Sequence, residues 1–109
     1  MTNVEIFFSE DSEQTEFDVI NKEWRGDVWV KIHQNVYRIS AFTTLRLQQE
    51  FNYGVENNGF YCPDSNLILV KNTSKKEIIS TVNWLTEQGY FSELKCLDNL
   101  DTSTLVKVQ

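Results

Sequence analysis

Asp27 to His33 reads DVWVKIH and Val36 to Phe42 reads VYRISAF, with Gln34-Asn35 between them. Both segments are rich in β-branched and aromatic residues, and both alternate apolar with polar positions, the period of a half-buried strand. With Gln34-Asn35 as a two-residue loop, Ile32 faces Tyr37, Val30 faces Ile39 and Val28 faces Ala41. All three pairs then fall on one apolar side. The other side carries His33 with Val36, Lys31 with Arg38, and Trp29 with Ser40. Gln-Asn lacks the glycine that tight hairpins favour, although Asn tolerates positive φ. Lys31 opposite Arg38 is a like-charge pair that needs a nearby carboxylate.

Working outward from this hairpin, Val4 to Ser9 (VEIFFS) alternates as a first strand. Glu10 to Glu16 (EDSEQTE) has no apolar period and reads as a loop, and Phe17 to Ile20 reads as a short strand or extended return. Trp24 to Asp27 reads as a turn, with Gly26 free to take positive φ. Thr44 to Tyr53 reads as a helix capped by Thr43 or Thr44 and stopped at Gly54, with Leu47, Phe51 and Val55 as its apolar stripe. Glu56 to Asp64 is a loop. Leu67 to Val70 (LILV) has no polar alternation, so a strand buried on both faces in the middle of the sheet is expected. Ser74-Lys75-Lys76-Glu77 matches a capping box, and Gly89 sits where a helix ends. Ile78, Ile79, Val82 and Leu85 form the stripe between them, after which Tyr90-Phe91 packs back on the core. Leu105 to Val108 reads as a last edge strand or a frayed tail. The element order predicts one α+β domain over residues 1–109: a mainly antiparallel sheet of four to five strands with two helices on one face.

Composition bounds the function. The chain has 109 residues, 40% hydrophobic and 24% charged, which is ordinary for a globular domain. No segment has the 18 or so consecutive apolar residues of a membrane span. Met1 to Glu10 has neither a basic n-region nor a long apolar h-region, which points to a cytoplasmic chain. Cys62 and Cys96 fit no zinc or CxxC spacing and are expected to be reduced, buried side chains.

The net charge of −6 is unevenly placed. Residues 1–23 hold seven acids (Glu5, Glu10, Asp11, Glu13, Glu16, Asp18 and Glu23) against one base, Lys22. Residues 24–109 hold nine of each. Such a block repels phosphate backbones and anionic membranes, and it attracts a basic protein surface. Glu10, Asp11, Glu13, Glu16, Asp18 and Glu23, with Trp24 beside them, are therefore the candidate partner-binding residues. Tryptophan is a frequent anchor at such sites. A solvated acidic loop that only aids solubility is the plain alternative.

Catalysis finds little support. The single histidine, His33, falls at the hairpin turn, and nothing orients a Cys62–His33 dyad. P-loop, GxGxxG, HExxH and GxSxG motifs do not occur. Glu10, Asp11 and Glu13 resemble the start of an EF-hand loop, but the Gly and terminal Glu are missing from the required offsets. The expectation is a non-enzyme without catalytic residues, metal site or cofactor. All three tryptophans fall off the predicted core faces.

In size, acidity and element order, the segments DVWVKIHQNVYRISAF (Asp27 to Phe42), SNLILVKNTSKKEI (Ser65 to Ile78) and WLTEQGYFSELK (Trp84 to Lys95) together resemble the compact α+β immunity proteins of bacterial polymorphic-toxin systems. That resemblance implies neutralising a cognate toxin, often a basic nuclease, by blocking its active site. Two alternatives stand beside it. One is a phage-encoded nucleic-acid mimic. The other is an assembly module that forms a homodimer through the sheet edge or Trp29.

Overall fold

Val28, Val30 and Ile32 alternate with Trp29 and Lys31, and the chain uses that alternation as a strand. A computed structural model describes residues 3–96 and 101–109. It contains β1 (Val4–Phe8), α1 (Glu13–Lys22), β2 (Trp24–Ile32), β3 (Asn35–Phe42), α2 (Thr44–Asn58), β4 (Leu67–Leu69), α3 (Lys75–Glu87) and β5 (Val106–Lys107). The five strands form one sheet in the order β4-β3-β2-β1-β5. Its pairings are antiparallel except β3 with β4, which is parallel, so the α+β sheet is mixed.

One face of this sheet is the core. Ile6, Phe8, Val28, Val30, Tyr37, Ile39 and Ala41 pack under Ile78 and Val82 of α3 and under Phe91. The Ser74 hydroxyl accepts the Glu77 N–H, so the expected cap of α3 forms, and Gly89 takes the positive φ that follows its end. Phe91, in a 3-10 turn, meets the rings of Tyr37 and Tyr90 at centroid separations of 5.4 and 5.2 Å.

The hairpin differs from the sequence reading by two residues. Ile32 pairs with Asn35, Val30 with Tyr37 and Val28 with Ile39, so the loop is His33-Gln34. A shift of two preserves the side each residue faces, which is why the apolar face was legible while the register was not. His33 takes φ 56° in the loop, a conformation His adopts more readily than most residues. Glu5 of β1, not Arg38, lies opposite Lys31, and Arg38 stands opposite Trp29. The like-charge pair does not form in this register, and the Glu5 carboxylate pairs with Lys107.

Further along β2 the register shifts again. Arg25 pairs with Ala41 while Val28 pairs with Ile39, so Gly26 and Asp27 together oppose the single residue Ser40. This bulge replaces the expected turn, and it swings Arg25 onto the core face. Gly26 keeps a negative φ; its requirement is space, because a Cβ there would lie 2.9 Å from the Trp24 indole.

Further expectations are corrected. Glu10 to Ser12 is irregular as expected, but Glu13 to Glu16 is not loop, nor Phe17 to Ile20 strand: Ser12 caps α1 by accepting the Thr15 N–H, with Glu13 and Glu16 in the first turn. The segment hides its helical nature because Phe17 and Ile20 face solvent, so no apolar stripe marks an inner side. Next, β4 is an edge strand with Leu69 51% exposed, not a central one, since only Ile68 and Val70 turn to the core. Finally, α2 adds nothing to the core cluster, and the described residues form three α-helices where two were expected on one face. Cys62 is exposed and Cys96 half-buried, so the expectation of two buried thiols fails for Cys62.

The helix α2 runs through Gly54 and stops at Gly59, which takes φ 84°. Gly54 permits a close approach: a Cβ there would lie 2.8 Å from the Phe60 carbonyl oxygen and 3.0 Å from the Tyr61 Cβ. Burial, with the carboxylates of Glu50 and Asp64 nearby, raises the Tyr61 phenol above its ordinary pKa. Gly54→Ala improves intrinsic helix propensity by about 1 kcal/mol, but the collision is with backbone. We expect a net loss of about 1–3 kcal/mol in urea unfolding. A stabilised variant would show that the chain does not return this tightly along α2.

Candidate functional site

The acids before residue 24 divide into two groups. The first is consumed by the fold. Glu16 bridges two partners: one carboxylate oxygen pairs with the Arg25 guanidinium, and the other accepts the Lys75 N–H at 2.6 Å. Lys75 opens α3, so Glu16 sits as an anion at that helix's N-terminus, where the dipole favours it. Asp11 reaches the Lys75 ammonium at 2.8 Å. Glu5 pairs with Lys107 at 3.5 Å. Glu23 takes φ 57° at the end of α1 and accepts the Thr43 hydroxyl at 2.7 Å, clipping α1 to the start of α2.

Arg25 explains why α1 needs these polar ties. It is 1% exposed, its guanidinium lies 4.3 Å over the Phe8 ring, and its Nε donates to the Thr73 carbonyl. Thr73 in turn donates its hydroxyl to the Val19 carbonyl of α1 at 2.8 Å. The helix has no fully buried residue and is held by this network instead of by an apolar stripe.

The second group faces outward. Glu10, Glu13 and Asp18 make no salt bridge among the described residues. Glu10 accepts a hydrogen bond from the Ser12 hydroxyl, and Asp18 accepts one from Gln14. The 100° step of a helix puts Glu13, Phe17 and Ile20 on one outward side, while Asp18 lies about 100° round the helix from Phe17 and about 160° from Ile20. Phe17 is 64% exposed and Ile20 40% exposed. The result is an exposed apolar pair with Glu13 beside it. The acids are evident from the sequence, whereas Phe17 and Ile20, expected in a strand, stand exposed on a helix. Ser12 followed by Glu13 and Glu16, with Lys22 at the far end, is the capping and charge pattern that marks the helix.

Trp24 stands apart from that pair. Its ring is 41% exposed, rests on Gly26 and lies 5.4 Å from the Arg46 guanidinium. Together with Val19, Gly26 and Asp27 it lines a shallow hollow with the cations Lys22 and Arg38. The structure therefore surrounds Trp24 with bases as well as acids, and the acidic-apolar face is α1 alone. Trp29 is half-buried under the Arg38 guanidinium, and Trp84 is exposed on the outer side of α3.

Among the described residues, no group of three His, Cys, Asp or Glu side chains could hold a metal ion. No helix there is long and apolar enough to cross a membrane. No family model, curated protein or solved structure matches the chain.

Proposed function

We propose that this chain is an inhibitor-type binding module without catalytic activity, working in the cytoplasm as an immunity protein that occludes the basic active-site cleft of a cognate toxin. One observation carries the reading: α1 presents exposed Phe17 and Ile20 with Glu13 beside them. Glu10 precedes the helix and Asp18 lies further round it, and none of these acids is in a salt bridge among the described residues. Exposed apolar anchors with charge beside them suit a protein interface. Free carboxylates near them accelerate encounter with a cationic surface. The alternative of a nucleic-acid mimic is weakened, because pairing of Asp11 and Glu16 leaves too short a row of acids to copy a phosphate backbone.

The test is co-expression with the reading frame immediately upstream of its gene. Expressed alone, that frame should arrest growth; together with this chain, growth should return. The purified pair should associate more slowly as salt rises, since at about 1 M the Debye length falls to about 3 Å. A harmless upstream product, absence of rescue, or a complex equally fast to form at about 1 M salt each overturns the reading.

A further inference from the structure

Asn58 is the one asparagine of the chain that a glycine follows. The side-chain amide carbon of an asparagine lies within reach of the next residue's backbone nitrogen, and the two can close a five-membered ring. A side chain on that next residue hinders the approach, and glycine has none. Around Gly59 the space is open, since a Cβ built there would meet nothing within 4 Å. Asn58 itself is exposed. Its amide makes no hydrogen bond among the described residues, whereas the Asn57 amide donates to the Tyr53 carbonyl at 2.8 Å.

What opposes ring closure is the helix. Asn58 is the last residue of α2, and the Gly59 N–H donates to the Val55 carbonyl at 2.9 Å. Closure needs that N–H released and the Asn58 backbone turned out of its helical setting. This last turn is weakly held. Val55 to Asn58 are all exposed, so little apolar burial is lost when it frays. The turn holds no base, and Glu56 puts a carboxylate at the negative end of the helix. Opening a terminal turn is a local event that costs far less than global unfolding.

We infer that Asn58 is a site of spontaneous deamidation, and that the isoaspartate it leaves unseats the chain's return along α2. The Gly59 nitrogen sheds its proton to base and bonds to the Asn58 side-chain amide carbon. The bond from that carbon to the amide nitrogen breaks, and the nitrogen takes a proton from water and leaves as ammonia. Water then opens the succinimide. Attack at the main-chain carbonyl leaves isoaspartate; attack at the side-chain carbonyl leaves aspartate. Either product adds a negative charge at the C-terminal end of α2, where the dipole disfavours it. Isoaspartate also routes the main chain through the side chain, adding one carbon to the backbone at the turn. The Phe60 carbonyl oxygen and the Tyr61 Cβ lie 2.8 and 3.0 Å from where a Gly54 Cβ would stand, too close a fit to absorb that carbon.

Incubating the full chain in mildly alkaline buffer tests this, with peptide mapping by mass spectrometry and labelling by isoaspartyl methyltransferase. Asn58 should lose its amide at least about tenfold faster than Asn57, whose following residue carries a side chain. The rate should rise with pH, because the attacking nitrogen must shed its proton. Gln88 also precedes a glycine, but its longer side chain closes a six-membered ring, so its amide should outlast that of Asn58. Asn58→Gln should abolish labelling at this position and keep the fold. Once separated by ion exchange, the isoaspartyl chain should exchange its Gly59 amide hydrogen faster than Asn58→Asp, which adds the charge without the extra carbon. An Asn58 amide as durable as that of Asn57, conversion seen only in urea, or equal Gly59 exchange in the isoaspartyl and Asn58→Asp chains overturns the inference.

Discussion

Glu16→Ala is expected to lower the unfolding free energy by about 2–3 kcal/mol, far more than a substitution at a partly exposed acid ordinarily costs. The reason lies in what remains behind. Arg25 is almost wholly buried and carries a guanidinium. Without Glu16 its charge keeps only the Thr73 carbonyl and the face of Phe8. A buried charge stripped of its counter-ion is among the costliest single changes. The same substitution removes the acceptor of the Lys75 N–H at the start of α3, leaving that donor to water. Arg25→Met separates the two contributions. It deletes the buried charge, keeps most of the volume, and leaves Glu16 at the helix terminus, so its cost should be the smaller of the two. Urea midpoints at unchanged m-value measure both. A Met variant as unstable as the Ala variant would show that Arg25 acts through packing and that its charge is not what Glu16 secures.

That network also marks where sequence reading stops. The hairpin, α3 and its cap, the first strand and the last edge strand were legible, because each rests on a local rule: alternation, a helical stripe, or a serine three residues before glutamate. Within α1 the usual relation between pattern and burial is inverted. Phe17 and Ile20 look outward, and the inner side is secured by Glu16 and Val19 through polar bonds to distant segments. Nothing in EDSEQTEFDVI states that Arg25 lies beneath it. Arg25 reaches that position only through the bulge at Gly26 and Asp27, and a bulge is a relation between two strands. The edge placement of β4 is hidden for a related reason. A short apolar run reads as doubly buried unless the second face is known to be open, and Leu69 shows that it is. Of the candidate residues chosen for charge, Glu10, Glu13 and Asp18 remain available to a partner, whereas Asp11, Glu16 and Glu23 belong to the scaffold that presents them.

Phe17→Ala should leave stability within about 0.5 kcal/mol, since the side chain is mostly in solvent, yet weaken the proposed complex by about 30- to 100-fold. The loss should appear in dissociation: an aromatic anchor is felt once docked, and contributes little to the long-range approach. Glu13→Gln and Asp18→Asn should behave in the reverse way. Each removes one charge from α1, lowers the association rate a few-fold at low salt, and flattens its salt dependence, with little change in the off-rate. Glu16→Gln belongs with neither set, because its carboxylate faces Arg25 and α3; any effect on binding should track its effect on folding. This division into off-rate, on-rate and stability follows from the three environments on one ten-residue helix. Surface plasmon resonance with the co-expressed partner, at two salt concentrations, reads the first two directly. If Phe17→Ala left the off-rate untouched while the charge variants changed it, the apolar pair of α1 would not be the docked surface. Contact would then have to be sought at the hollow around Trp24, where Lys22, Arg38 and Arg46 would favour a partner of the opposite charge.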